Sequence, residues 1–286
     1  MGADGMLGHQ AAHCLSVNHQ VVASVRRPPT SDVANALAGC DVMAGIDVRH
    51  HDLWLNLLRD IKPEVVVNCT GIVKQRPAAA DPIQSIEVNS LFPHNLATAC
   101  ASLSARLVHI STDCVFSGKR GNYSESDNSD PTDLYGRSKL LGEPNGEQCF
   151  TIRTSMVGLE IGNRSGLVEW FLSQDGDIPG YTKAIWSGFT TAELGRVIAN
   201  VIERHEELHG VWHVSSVPIS KYELLATLAR QLGRQAAVIP DDSVVIDRSL
   251  NSERFQAATG YAPPSHQTML SELAAEVRKR KETGVA

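Results

Sequence analysis

The sequence predicts an α/β protein in which a doubly wound parallel sheet is joined to a smaller, irregular lobe. Three observations support this fold class. Short apolar segments alternate with helical segments through the first half of the chain, as in the strand–helix–strand units of a parallel sheet. Residues 64–71 begin as a near-continuous apolar run, which is typical of a strand covered on both faces. After residue 155 this alternation loosens, and loops rich in Gly, Pro and Asp separate the helical segments.

Composition argues against several classes of protein. The 286 residues are 42% hydrophobic, enough for a large core, and the formal net charge of −6 argues against a general nucleic-acid binder. No apolar run approaches the ~20 residues of a membrane span, and the N-terminus lacks the basic and apolar regions of a signal peptide. The six cysteines are scattered without a C-x-x-C pair, as expected for reduced thiols. We therefore expect a cytoplasmic protein that binds neither nucleic acid nor membrane.

The chain opens with a glycine-rich turn, G-x-x-G-x-x-G, that leads into a helical segment. Such a turn lets the backbone approach a pyrophosphate, which the helix N-terminus then attracts. The candidate contacts are Gly2, Gly5, Met6, Leu7 and Gly8. Alone the pattern is weak, because some matches are only helix-opening turns. The buried first strand that should precede the turn is missing, so we expect the natural N-terminus to lie upstream; the intact mass of the native protein would test this.

Residues 20–25 predict the next strand, and Arg26 follows it directly. In dinucleotide-binding folds an acidic residue at this strand end holds the ribose 2′-hydroxyl of NAD, whereas an arginine suits the 2′-phosphate of NADP. Arg26 therefore favours NADPH over NADH, and the alternative is that Arg26 and Arg27 are solvated loop residues. After a third strand candidate, Asp47 and Val48 lie where a carboxylate and a backbone could meet an adenine, unless Asp47 is a surface residue.

Residues 111–139 hold the candidate catalytic groups. Residues 106–110 predict a buried strand, so Thr112 should lie at its C-terminal end, where ligands collect in open α/β sheets. In the helical segment that follows, Tyr135 and Lys139 are four residues apart and share one face. A hydroxyl, a phenol and an ammonium would then converge, which suits the reduction of a carbonyl.

The other segments complete the predicted domain organisation. They predict a helix at 81–104, a strand at 149–155, helices at 166–173, 193–207, 221–232 and 265–281, and a strand at 210–214. We assign residues 1–152 to a dinucleotide-binding domain, to which residues 182–215 return. Residues 153–181 and 216–286 are assigned to a substrate-binding lobe.

Several motifs occur together along the chain. They are the glycine turn, N-C-T-G at 68–71, Asn89, S-T-D-x-V-F-x-G at 111–118, Y-x-x-x-K at 135–139, R-T-S at 153–155, and residues 247–252 and 260–263. This set resembles the extended short-chain dehydrogenases/reductases, and within them the dTDP-4-dehydrorhamnose reductase family. Y-x-x-x-K alone is common by chance, but its combination with the motif some twenty residues upstream is specific.

The resemblance implies a two-lobed Rossmann reductase that acts on the C4 ketone of a nucleotide-linked 6-deoxy sugar, in the synthesis of cell-surface polysaccharides. It implies NADPH or NADH as cofactor, a nucleotide-sugar substrate and formation of a homodimer. Tyr135 would be the general acid, and Lys139 would hold the nicotinamide ribose and favour the phenolate. Thr112 would donate a hydrogen bond to the ketone oxygen, and Asp113 would fix the local geometry. The implied cofactor contacts are the glycine turn, Arg26, Asp47, Val48, Gly71, Asn89, Tyr135 and Lys139.

Two positions depart from the family pattern. Met156 follows R-T-S, where the family often carries a tryptophan against the sugar, and Cys114 replaces an aromatic residue. A thioether adapts its shape but offers no flat ring or N–H. We infer that Met156 contacts a substrate other than plain 4-keto-rhamnose, such as a 2-acetamido sugar on UDP. The basic cluster Lys74, Gln75 and Arg76 could meet a diphosphate or form a solvated loop.

Two other features of the sequence allow alternative interpretations. Residues 205–209 match the zinc-protease pattern H-E-x-x-H, but Gly210 ends the helix and a strand follows, so a charged helix end is the better account and no metal site is expected. The second alternative is a non-catalytic dinucleotide-binding regulatory subunit on the same fold, like the β-subunit of methionine adenosyltransferase. Retained Thr112, Tyr135 and Lys139 do not exclude it.

Overall fold

The computed structural model describes residues 1–74, 77–162 and 164–283. The helices are α1 (Gly8–Leu15), α2 (Ser31–Ala36), α3 (His51–Ile61), α4 (Pro82–Ile86), α5 (Phe92–Ser102), α6 (Leu134–Leu141), α7 (Leu167–Leu172), α8 (Thr191–Arg204), α9 (Lys221–Leu232), α10 (Glu253–Thr259) and α11 (His266–Thr283). The strands are β1 (Val22–Ser24), β2 (Asp41–Met43), β3 (Val65–Asn68), β4 (Arg106–Ile110), β5 (Cys149–Arg153), β6 (Met156–Val157), β7 (Ile178–Trp186), β8 (Phe189–Thr190), β9 (Gly210–His213), β10 (Ile219–Ser220) and β11 (Val238–Asp247). In the described ranges no helix is long and apolar enough to cross a membrane.

A parallel sheet in the order β3-β4-β5-β9 forms the centre of the protein. Its two faces bury different side chains, because successive residues of a strand point to opposite sides. Leu107 on β4 packs in a cluster with Trp54 of α3 and Leu96 of α5. Val108 and Ile110 on the same strand pack in a second cluster that includes the apolar face of α8. Helices therefore cover both faces, and the predicted α/β class with a parallel sheet is confirmed.

Strands β1 and β2 form a separate parallel pair. Residues 1–3 connect this pair to the four-stranded sheet. The amino group of Met1 donates to the Val67 carbonyl oxygen of β3 at 2.8 Å. On the other side, the Ala3 amide donates to the Ser24 carbonyl oxygen of β1 at 3.0 Å. Three residues thus stand between β1 and β3, at the place where the sequence predicts a central strand.

A second sheet, in the order β10-β7-β11, forms the lobe. Strands β7 and β11 run parallel with an irregularity between Asp241 and Val245. Helices α9 and α11 bury their apolar faces in the cluster that includes Trp186 of β7. A hydrogen bond connects the lobe to the segment after β4: the Asp247 amide donates to the Gly118 carbonyl oxygen at 2.7 Å. The S-T-D-x-V-F-x-G motif therefore lies where the two sheets meet.

Two parts of the secondary structure differ from expectation. The helix predicted at 81–104 is divided into α4, a π-helical turn at Glu87–Leu91 and α5. The turn carries the buried Asn89, whose side chain binds Ser138, and π-helical turns often occur at functional sites. Strands β7 and β11 were not predicted from the sequence. In β11 most side chains are partly or fully exposed, so no alternation of apolar and polar residues marks it.

Candidate active site

Helix α6 carries Tyr135 and begins beside the turn that follows β4. The Asp133 side chain caps this helix by accepting a hydrogen bond from the Gly136 amide at 2.7 Å. Gly136 permits a close approach, because a Cβ there would lie 2.2 Å from the Cys114 carbonyl oxygen. The absence of that side chain brings the phenol of Tyr135 to the turn that contains Thr112.

Thr112 and Asp113 lie at the carboxyl end of β4 and are both buried. The Thr112 hydroxyl oxygen accepts from the Cys114 amide at 3.1 Å, and the hydroxyl donates to the Asp113 carboxylate at 3.2 Å. Burial raises the pKa of Tyr135 above its ordinary value, although a hydrogen bond with the Thr112 hydroxyl opposes that shift. Burial likewise raises the pKa of Asp113. The phenol therefore lies beside a hydroxyl at the end of β4, where a substrate oxygen could meet both groups.

Lys139 lies one turn after Tyr135 and is almost fully buried. Its Nζ donates to the Ile110 carbonyl oxygen at 2.7 Å, which fixes the ammonium at the end of β4. Burial lowers the pKa of Lys139 to about 8, and the nearby charge of Glu143 opposes that shift. The sequence predicts that Lys139 favours the phenolate, yet here the ammonium is held by a backbone carbonyl, and the pKa of Tyr135 is raised.

Glu143 supports the same region and was not singled out from the sequence. Its carboxylate accepts two hydrogen bonds from Arg153, from Nε at 2.9 Å and from Nη2 at 2.8 Å, and both side chains are buried. It also accepts from the Ser111 hydroxyl at 2.6 Å. The spacing of four residues from Lys139 was the available signal. Through Ser111 and Arg153, Glu143 connects the end of α6 to β4 and β5 next to the candidate catalytic residues.

Asn89 has all its side-chain donors engaged within the protein. Its Oδ1 accepts from the Ile72 amide at 2.8 Å, and its Nδ2 donates to the Ile72 carbonyl oxygen at 2.9 Å and to the Ser138 hydroxyl at 3.1 Å. The residue therefore joins the segment after β3, which begins with Gly71, to helix α6. Asn89 therefore holds the predicted cofactor loop in place, and its direct contact with the cofactor stays a prediction.

The glycine-rich turn has the features of a pyrophosphate site. Gly2 has a φ of +74°, and a Cβ on Gly8 would lie 2.1 Å from the Gly2 carbonyl oxygen, so the turn excludes a side chain there. Helix α1 begins at Gly8 without a side-chain cap. Within the described part of the chain, the amides of Met6 and Leu7 donate to no acceptor. Gly5 completes the turn, since its amide donates to the Gly2 carbonyl oxygen at 3.1 Å. Free amides at a helix N-terminus fit a dinucleotide pyrophosphate.

Arg26 and Asp47 lie together beyond β1. Arg26 is exposed, and among the described residues it has no hydrogen-bond or ion-pair partner. Asp47 is bound through both oxygens by Arg49, whose Nε and Nη2 lie 3.1 Å and 2.6 Å away, and this contact lowers the pKa of Asp47 to about 2. Val48 is half-buried against the α3–α5 core. Arg49 was not singled out from the sequence. It binds the Asp47 carboxylate, which was predicted to contact adenine.

Met156 and Trp186 border the lobe side of the site. Met156 is half-buried against the core cluster that contains Phe189, its partner in the β6–β8 pair. Trp186 reaches the same segment from β7, and its Nε1 donates to the Ser155 hydroxyl at 2.9 Å. An indole therefore lies beside R-T-S, although it comes from a different strand from the one that the family pattern suggests.

Two cations of the lobe face the catalytic turn. Lys221 begins α9, and its Nζ lies 5.1 Å from the centre of the Trp186 ring. Arg248 follows β11, and its Nε donates to the Phe116 carbonyl oxygen at 2.9 Å. Both charges oppose the upward shift in the pKa of Asp113. Lys221 gave no sequence signal, because a lysine at a helix start usually faces solvent, whereas Arg248 lies in the motif at 247–252.

The remaining candidate positions contribute less to this geometry. Lys74 is exposed, while Gln75 and Arg76 lie outside the described residues. His205 follows the last residue of α8, and its Nδ1 lies 3.6 Å from the Glu207 carboxylate. Among the residues that the structure describes, no group of three or more His, Cys, Asp or Glu side chains is arranged to hold a metal ion.

The sequence is similar to those of known proteins. A family model described as the RmlD substrate binding domain matches residues 1–278. A probable low-salt glycan biosynthesis reductase of Haloferax volcanii is 28% identical, and the match covers 86% of this chain and 83% of that protein. A dTDP-4-dehydrorhamnose reductase of Aggregatibacter actinomycetemcomitans is 25% identical, over 80% of this chain and 87% of that protein.

The structure is also similar to solved structures. The dTDP-4-dehydrorhamnose reductase of Bacillus anthracis, solved in complex with NADP, superposes with a TM-score of 0.76. The two sequences are 23% identical, and the superposition covers 96% of this chain and 97% of the other. At this identity the likeness is one of fold.

Proposed function

The chain belongs to the RmlD substrate binding domain family, whose model matches residues 1–278, and from this premise we propose that it is an NAD(P)H-dependent reductase of nucleotide sugars. Its substrate is the C4 ketone of a nucleotide-activated 4-keto-6-deoxy sugar. The family indicated by the sequence motifs is confirmed by the match. Relatives named as dTDP-4-dehydrorhamnose reductase and glycan biosynthesis reductase support a role in making sugars for surface polysaccharides.

One observation carries the proposal: the Tyr135 phenol on α6 lies within hydrogen-bond reach of the Thr112 hydroxyl at the carboxyl end of β4. A ketone oxygen placed between these two groups would accept a hydrogen bond from Tyr135, and a second one from Thr112 once the Thr112 hydroxyl turns away from the Asp113 carboxylate. Tyr135 then donates its proton as the oxygen gains negative charge, and Thr112 stabilises that charge. Lys139, fixed on the Ile110 carbonyl, keeps a positive charge on the same face of α6. Tyr135 regains its proton from solvent after product leaves.

The residues present fit a dinucleotide. The free amides of Met6 and Leu7 would bind the pyrophosphate, and Lys139 would hold the nicotinamide ribose. When bound, the reduced nicotinamide supplies the hydride that reaches the ketone carbon. Gly71 precedes Ile72, whose backbone Asn89 binds through two hydrogen bonds. Without a side chain, Gly71 would let the cofactor pass close to the backbone. Arg26 would contact the 2′-phosphate, so we propose NADPH as the preferred cofactor and NADH as the second.

The test is a turnover assay that follows the loss of reduced nicotinamide with a panel of nucleotide-4-ketosugars. The panel contains dTDP-4-dehydrorhamnose and a UDP-linked 2-acetamido-4-ketosugar, because Met156 departs from the family pattern. Turnover with at least one member supports the proposal. Tight NADPH binding without turnover of any member would instead indicate a non-catalytic, dinucleotide-binding subunit.

Three finer assignments accompany this proposal. All six cysteines are free thiols, which suits a reducing compartment such as the cytoplasm. For the domains, the predicted boundary at residue 182 falls inside β7, which pairs with β11 in the lobe sheet; we therefore propose residues 1–152 and 187–215 as the cofactor side, with 153–186 and 216–286 as the substrate lobe. We also propose a homodimer through the contacting helices α4 and α6. Both carry exposed apolar side chains, Ile83 at 68% and Leu141 at 63% exposure. Light scattering of Leu141→Glu tests the dimer.

A further inference from the structure

Glu143 lies just past the end of helix α6, and the chain is held on both sides of it. A Cβ on Gly142 would lie 1.8 Å from the Asn89 carbonyl oxygen, so the end of α6 packs directly on the π-helical turn. On the other side, the Thr151 hydroxyl of β5 donates to the Pro144 carbonyl oxygen at 3.2 Å. Only 6% of the Glu143 side chain is exposed. The carboxylate therefore has little freedom to move.

Both oxygens of this carboxylate accept hydrogen bonds. Oε2 accepts from Nη2 of Arg153 at 2.8 Å, while Oε1 accepts from Nε of Arg153 at 2.9 Å and from the Ser111 hydroxyl at 2.6 Å. The remaining terminal nitrogen of Arg153 lies 3.4 Å from Nε2 of His213. A buried ion pair is stable only when further hydrogen bonds satisfy its atoms. The choice of Ser111 as the additional donor is therefore the informative feature.

Ser111 stands between two groups of the candidate active site. The residue before it, Ile110, supplies the carbonyl oxygen that accepts from Nζ of Lys139 at 2.7 Å. The residue after it, Thr112, carries the hydroxyl that lies within hydrogen-bond reach of the Tyr135 phenol. The carboxylate that binds the Ser111 hydroxyl thereby holds the short segment from which both contacts are made.

The same carboxylate acts on the charge of Lys139. Burial lowers the pKa of Lys139 to about 8, and Glu143, four residues further on, opposes that shift, with a smaller contribution from Cys69. His109 of β4 also lies near Lys139, but burial lowers the pKa of His109 well below its ordinary value, so it is neutral. Within the described chain, Lys139 donates only to the Ile110 carbonyl oxygen. Glu143 therefore acts without a direct ion pair and leaves the other N–H groups of Lys139 free.

We propose that Glu143 is a positioning residue for the reduction, and that it acts through Ser111 and Lys139. Its bond to the Ser111 hydroxyl holds the end of β4 in the geometry that the reaction requires, and its negative charge keeps Lys139 as an ammonium. The ammonium has three N–H donors, so it can bind a ribose while it stays on the backbone carbonyl. This inference rests on the proposed function, because Glu143 itself would contact neither substrate nor cofactor.

The first experiment is an NMR titration of the ligand-free full chain with isotopically labelled lysine, in which Lys139→Arg identifies the Lys139 signal. The midpoint should lie at about 8 in the unsubstituted protein. Glu143→Gln should lower it by about one pH unit or more, and Glu143→Asp should restore part of the loss. Arg153→Met breaks the same buried ion pair but keeps the carboxylate, so the midpoint should not fall. Glu203→Gln, on the surface, is the control.

The direction of the shift separates a charge effect from a structural one. A midpoint that falls in both Glu143→Gln and Arg153→Met would show that loosening of the fold moves it, and this would overturn the role of the charge. An unchanged midpoint in Glu143→Gln would do the same. The double variant with both substitutions leaves no unpaired buried charge and should also lower the midpoint, so it decides the question if a single variant does not fold.

The second experiment tests the hydrogen bond from Ser111 and leaves the ion pair in place. With a ketosugar that the protein reduces, kcat of Ser111→Ala should fall by about 10- to 100-fold, because the reacting groups are misplaced. KM and NADPH affinity should change little. Ser102→Ala is the matched control, since the Ser102 hydroxyl donates only to the Ala99 carbonyl oxygen of its own helix.

The outcomes also separate this inference from the reductase proposal. Full kcat in Ser111→Ala would overturn the positioning role even though the protein is a reductase. If no ketosugar is reduced, the reductase proposal fails, whereas the NMR titration still supports or overturns the action of Glu143 on Lys139, because it needs no turnover.

Discussion

The α6 side of the active site and the lobe side differ in how their charged groups are held. On the α6 side, Lys139 donates to the Ile110 carbonyl oxygen, and Glu143 is bound by Arg153. On the lobe side, Lys221 has no hydrogen-bond acceptor among the described residues, and Arg248 has one. Groups that act on the reacting bond are thus placed before substrate arrives, whereas the lobe cations keep donors for a ligand. Under the proposed function, the α6 side would act on the reacting bond and the lobe side would bind the substrate.

The largest effect on activity is expected from substitution of Tyr135 on the α6 side. Tyr135→Phe removes the proton donor and keeps the ring, so kcat should fall by about 100- to 10,000-fold. NADPH affinity, measured by fluorescence titration, should remain unchanged. Tyr181→Phe, on strand β7, is the matched control and should retain full activity. An unchanged kcat in Tyr135→Phe would remove the general-acid role and, with it, the distinction between the two sides.

The rigidity of the α6 side can be tested at Glu143. Glu143→Gln leaves the buried guanidinium of Arg153 without its counter-ion, and the free energy of unfolding should fall by about 3 kcal/mol. Urea denaturation measures this. Glu203→Gln is the control, because Glu203 binds Asn18 and His19 on the surface, and little change is expected. Equal effects in the two variants would mean that the buried pair does not hold the site in place.

Arg26, an exposed cation, extends the comparison to the cofactor. Arg26→Asp should weaken NADPH binding relative to NADH by about tenfold, because a charged hydrogen bond to the 2′-phosphate is lost and a repulsion is gained. Arg49 is already bound to Asp47, so Arg49→Ala should change this ratio less. Dissociation constants for both cofactors provide the measurement. If Arg26→Asp weakens both cofactors equally, Arg26 does not contact the 2′-phosphate.

The smallest expected effect is a pH dependence of nucleotide binding. Burial lowers the pKa of Lys221 to about 8; Asp113 and Cys114 oppose the shift, and Lys74 adds to it. If the Lys221 ammonium contacts an anionic nucleotide, UDP affinity should be greatest well below pH 8 and should fall as the pH rises through about 8, where Lys221 loses its proton. Titrations across this window should show the fall in the unsubstituted protein and not in Lys221→Met. A fall that persists in the variant would implicate another group, such as Lys139.

The catalytic half of the molecule could be predicted from the sequence because its signals are local. The apolar run at Val65–Asn68, the strand that ends at Ile110 and the i, i+4 pair on α6 each follow from periodicity. Lobe strands β7 and β11 could not be predicted in this way, since they form a sheet with many exposed side chains, and Val245 is 75% exposed. Lys221 and Trp186 meet only through that sheet, so no spacing in the sequence reveals their contact.

Residues 1–3 also have a consequence for cooperativity. Within the described chain, backbone hydrogen bonds between the β1–β2 pair and β3 pass only through these residues. The β1–β2 pair has two short strands, whereas β4 is central in a four-stranded sheet, so the amides of the pair should exchange with solvent faster than those of β4. A dinucleotide that contacts both Arg26 and Lys139 would reduce the local opening that such exchange requires. Part of its binding energy would then be used to order the unit, so the local opening equilibrium would lower the cofactor's apparent affinity.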